Sequence, residues 1–68
     1  MYNRRMTETK MTTERALSLL RLFGDAIDDE PMATEIFLAL DDAVLAGRDD
    51  LSYARDSILG ILTELRSY

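Results

Sequence analysis

Apolar residues recur three and four positions apart in three blocks of this chain and nowhere alternate with period two. The pattern therefore predicts helices and no strands. In the first block Ala16, Leu19, Leu20, Phe23 and Ile27 share one face, and Ser18, Arg21, Asp25 and Asp28 fall opposite. Leu17 and Leu22 widen the apolar stripe. Thr12 or Thr13 is positioned to cap this helix, with Glu14 near the positive end of its dipole. Gly24 weakens the run by about 1 kcal/mol relative to alanine, so a helix over about 13–28 is expected to fray beyond it.

Asp28-Asp29-Glu30-Pro31 punctuates the chain, and proline fits the first turn of a new helix, where its missing N–H costs nothing. A second helix is predicted from Pro31 to about Ala46, with Met32, Ile36, Ala39, Leu40 and Ala43 on one face and Gly47 as the residue that ends it. A third is predicted over 52–66, with Ala54, Ile58, Ile61, Leu62 and Leu65 at helical spacing and Leu51 entering on the same side. Asp49, Asp50 and Ser52 compete as its N-cap, and Ser52 suits the apolar phase best.

Two features stand outside this amphipathic account. Leu38 and Leu45 are seven residues apart on the face that also carries Thr34, Asp41 and Asp42. They are either isolated exposed leucines, which are common, or a seam for a neighbouring helix. Tyr53 and Gly60, also seven apart, share the outer side of the third helix. Glycine permits close approach and tyrosine favours interfaces, although Gly60 also reads as a tolerated defect.

The chain has 68 residues, enough for one small core. Residues 1–11 carry no apolar periodicity and are expected to form a flexible N-terminal arm, leaving 12–68 as a single helical domain. With no cysteine and no histidine, disulfides, thiolate zinc sites and Cys or His catalysis are excluded. A core this small without staple or metal is usually supplemented by oligomerisation. A homodimer is expected, with Leu38, Leu45, Leu59 and the wide face of the first helix as seam candidates. No apolar run approaches the ~18 residues of a membrane span, and no apolar stretch precedes the first acids as a secretory signal requires. A cytoplasmic protein without membrane contact is expected.

Thirteen acids against eight Lys and Arg give a net charge of −5, which argues against direct nucleic-acid binding. The charge is uneven. Residues 25–50 hold nine acids and one cation, net −8, while the remaining forty-two hold four acids and seven cations, net +3. Such a band either is a solvated face or attracts a basic partner surface. The Gly47 turn lacks the spacing of a calcium loop. The serines have no histidine, and no lysine but Lys10 in the arm, to serve as base. The carboxylates are expected on helix surfaces, where nothing raises a pKa. No catalytic, cofactor-binding or metal-binding residue is expected, and no enzyme. The second helix, the Gly47 turn and the third helix have the order of a helix-turn-helix, yet Tyr53, Ala54, Arg55 and Asp56 after two aspartates make a poor major-groove reader.

From Arg15 to Arg66 the chain resembles the small bacterial connector proteins of the AriR type, which are linked to biofilm development, acid resistance and two-component signalling. The likeness lies in Phe23 followed by Ile27 and the acids Asp28 to Glu30, in the close Leu45-Ala46-Gly47, and in the restart Leu51-Ser52 leading to Ile58, Leu59, Leu62 and Leu65. Pro31 and an extra aspartate before Leu51 depart from that pattern. The resemblance implies an all-helical homodimer acting through protein contacts, with no catalytic residues to carry over.

The resulting expectation is an all-α, three-helix domain whose last two helices form an antiparallel hairpin. Its expected role is that of a small regulatory adaptor or inhibitor of a signalling or transcription-regulatory protein, contacted through Leu38, Asp41, Asp42, Leu45 and Tyr53. The alternative is a phage or mobile-element inhibitor: an anti-activator of a quorum-sensing regulator, an antitoxin or an acidic nucleic-acid mimic.

Overall fold

Thr12 ends an extended entry and starts the first helix: its Oγ1 accepts a hydrogen bond from the Arg15 backbone N–H at 3.1 Å. That bond satisfies one of the donors that every helix N-terminus leaves free. The computed structural model describes residues 11–67. They form α1 (Thr13–Phe23), α2 (Glu30–Leu45) and α3 (Ser52–Arg66), with short 3₁₀ turns at Gly24–Ala26 and Asp49–Leu51 and no strand. The fold is all-α. None of these helices is long and apolar enough to cross a membrane. The expected arm falls on residues 1–10, which lie outside the described residues, and on Met11, which packs partly buried against the core.

α1 is shorter than its apolar stripe predicts. It stops at Phe23 because Gly24 takes φ +47°, ψ −125°, a conformation open to glycine and strained for any residue with a Cβ. The Gly24 N–H still returns to the Leu20 carbonyl, closing the last turn. Ile27 consequently reaches the core from an extended segment, 4% exposed, and not from a helix. Phe23, expected in the core, is left half exposed at the point where the chain turns away.

α2 opens on Glu30 and Pro31 and closes with a Schellman motif. The Gly47 N–H donates to the Val44 carbonyl and the Arg48 N–H to the Ala43 carbonyl, both at 3.0 Å. Gly47 makes this possible at φ +109°. Ser52 is the first residue of α3 and caps nothing: the cap position belongs to Leu51, which the preceding 3₁₀ turn buries in the core.

The core centres on α2. Ala33, Ile36, Leu40 and Ala43 line its inner face and meet Ala16 of α1 and Ile58 and Leu62 of α3. α2 packs extensively on both other helices, while α1 and α3 touch each other little. One helix therefore spends its inner half on two neighbours. Its outer face remains uncovered by either.

Candidate functional site

At about 100° per residue, Leu38 and Leu45 point away from Ile36 and Leu40. They are 57% and 77% exposed. Asp41 and Asp42 sit between them on either side of the line joining the two leucines, and Glu35 continues the stripe one turn towards the N-terminus. A groove of about 430 Å³ lies over this face, lined by Leu38, Ala39 and Leu45, by Glu35, Asp41 and Asp42, and by Met11 before α1.

One edge of the groove is tied to α3. Arg55 Nη1 donates to Asp41 Oδ1 at 3.0 Å, and its Nε donates to Asp56 Oδ1 at 3.0 Å. The hydrogen bond to Asp41, with a further bond and charge from Asp56, raises the Arg55 pKa above its already high ordinary value. Asp41 is thereby oriented, with a cation held against one of its oxygens. The ion pairs among the described residues are Arg48–Asp50, Arg55–Asp41, Arg55–Asp56 and Arg66–Glu30. Glu35 and Asp42 take part in none of them, and both are exposed.

Four of the five residues singled out by sequence, Leu38, Asp41, Asp42 and Leu45, thus line one surface. Tyr53 does not line it. It is 87% exposed on α3, two residues and about 200° around the helix from Arg55. The groove adds Glu35, Ala39 and Met11, which sequence reasoning missed as site residues. The signal for Glu35 was present: Glu35, Leu38, Asp42 and Leu45 are spaced three, four and three apart, one continuous stripe of a helix.

No protein-family model, curated protein or solved structure matches this chain. What the site can do follows from its own chemistry. Among the described residues no polar or charged side chain is buried, and no three acidic side chains converge as a metal site needs. Arg55 on α3 is held by two carboxylates. The surface itself is apolar along the Leu38–Leu45 crest and acidic along both flanks.

Proposed function

We propose that this chain is a small, non-enzymatic regulatory adaptor or inhibitor that acts in the cytoplasm by binding a signalling or transcription-regulatory protein. The single observation that carries the reading is the outer face of α2, where Leu38 and Leu45 stand exposed between Asp41, Asp42 and Glu35. Leucines left in water on a small domain are compatible with folding but contribute little to it, whereas at a partner surface they supply the apolar contact. The AriR-type resemblance supports the same class. The chain works as a homodimer in this proposal, and Leu22, Phe23 and Leu59 offer further uncovered apolar surface for a second copy.

A mobile-element inhibitor is the second reading, favoured by the acidic band. Eight of the nine acids between residues 25 and 50 are exposed, Asp41 being the half-buried one. That surface suits competition with nucleic acid for a basic protein. Capture from the native host, comparing the wild type with Leu38→Asp/Leu45→Asp, tests the proposal. The wild type is expected to retain a regulatory protein that the variant loses while keeping its helicity. Retention of a DNA-binding protein only at low salt favours the mobile-element reading. Identical captures by the two proteins contradict both.

A further inference from the structure

What the outer face of α2 repels narrows what it can seat. The whole helix, Glu30 to Leu45, contains no lysine or arginine. Leu38 and Leu45 lie two turns apart on its crest, about 10 Å along the axis, the interval at which one apolar stripe of a neighbouring helix repeats. Glu35 and Asp42 flank them on one side and Asp41 on the other. Arg55 offsets only Asp41.

A second copy is a poor occupant. In a twofold pairing centred between the two leucines, Asp41 and Asp42 fall at the axis and face Asp41 and Asp42 of the other copy, whether the helices run parallel or antiparallel. Like charges held together on an interface disfavour that partner. An anionic lipid surface is repelled for the same reason.

We infer that this face seats a cationic amphipathic helix of the protein partner. The helix rests its apolar stripe on Leu38 and Leu45 and places lysines or arginines beside Glu35, Asp42 and the outer edge of Asp41. The inference rests on the reading of the chain as a protein-binding regulator and names the chemistry of what it binds. Apolar contact supplies the affinity; the acidic flanks select the sign of the partner and speed its arrival. Homodimer contacts then fall on other surfaces, such as Leu22 and Phe23 at the end of α1.

The test is an NMR titration of the isotopically labelled full chain with three blocked synthetic peptides. One is a helical peptide with leucines along one stripe and lysines on its flanks; the second replaces the lysines by glutamates; the third scrambles the lysine peptide. The lysine peptide is expected to move the Leu38 and Leu45 methyl signals and to bind more weakly as salt rises. Glu35→Lys/Asp42→Lys, both exposed positions, is expected to weaken it by about tenfold or more and to let the glutamate peptide bind.

Equal binding of the glutamate or scrambled peptide overturns the inference, as does binding that maps away from Leu38 and Leu45. Two results in the unliganded protein also overturn it. Concentration-dependent shifts of these methyls would place a second copy on the face. Shifts produced by Arg4→Glu/Arg5→Glu would place the chain's own N-terminal segment there. None of these outcomes depends on capture from the host. If Leu38→Asp/Leu45→Asp still abolishes capture, only the cationic-helix inference fails; if capture is unaffected, the protein-binding reading fails as well.

Discussion

Asp41 and Arg55 are fourteen residues apart along the chain and joined by a 3.0 Å hydrogen bond between α2 and α3. Arg66 Nε and Glu30 Oε2 meet at the same distance. Passing from one pair to the other moves eleven residues forward on α2 and eleven back on α3. Eleven residues are about three helical turns, so the two bonds lie on one side of the pair and the helices run in opposite directions. The core side chains hold α2 and α3 together; the ion pairs mark the register at which they do so.

That register is expected to show in a double-mutant cycle of Asp41→Asn and Arg55→Gln, read by urea denaturation. The second substitution should cost less in the background of the first than alone, and the coupling should shrink as salt is added, because both side chains remain partly exposed. Glu30 and Arg66 are more open to water, and their cycle is expected to give the smaller coupling. Equal and salt-independent costs would mean that the Asp41–Arg55 contact contributes nothing to holding the register.

Gly24 and Gly60 are expected to respond oppositely to alanine. Neither has an atom within 4 Å of where a Cβ would sit, so backbone conformation alone decides. At Gly24, φ +47° with ψ −125° makes Gly24→Ala destabilising by about 1–3 kcal/mol. Gly60 lies inside α3, where Gly60→Ala is expected to stabilise by about 0.5–1 kcal/mol. Thermal or urea unfolding of the two variants checks the sign of each.

Burial predicts which apolar side chains of α2 the fold depends on. Ile36 is fully buried, and Ile36→Val, which removes one methylene, is expected to cost about 0.5–1.5 kcal/mol. Leu38→Ala removes three carbons from the outer face of the same helix and should change stability by no more than about 0.5 kcal/mol, and Leu45→Ala likewise. A larger loss at Leu38 or Leu45 would show that these side chains serve the fold and not a partner.

Much of this structure is legible in the residues because helices are local. The interval of Ala54, Ile58, Ile61, Leu62 and Leu65 predicts α3 at its observed bounds, 52–66. Thr12 acts as one of the two predicted caps, and Gly47 supplies the left-handed conformation that ends α2. The exposed pair Leu38 and Leu45 follows from the same periodicity, because two leucines opposite Ile36 and Leu40 cannot share their core. Elsewhere local pattern was insufficient. A glycine inside an apolar run reads as a weak point of a helix, and nothing nearby reveals that Gly24 turns the chain outright and leaves Phe23 half exposed. Ser52 has the chemistry of a cap but is displaced into the first turn by the buried Leu51. The Arg55–Asp41 bond depends on how two helices slide past one another, which neither helix states by itself. The same ignorance of neighbouring elements hid Met11 as a wall of the groove and grouped Tyr53 with residues it does not join.

The outer face of α2 is tested most directly by photo-crosslinking in the native host, with a photoreactive residue in place of Leu45 in one strain and of Glu64, exposed on α3, in another. The probe at Leu45 is expected to form one discrete adduct with a regulatory protein and the probe at Glu64 to form none. Absence of an adduct at Leu45, or the same adduct from both positions, would contradict it.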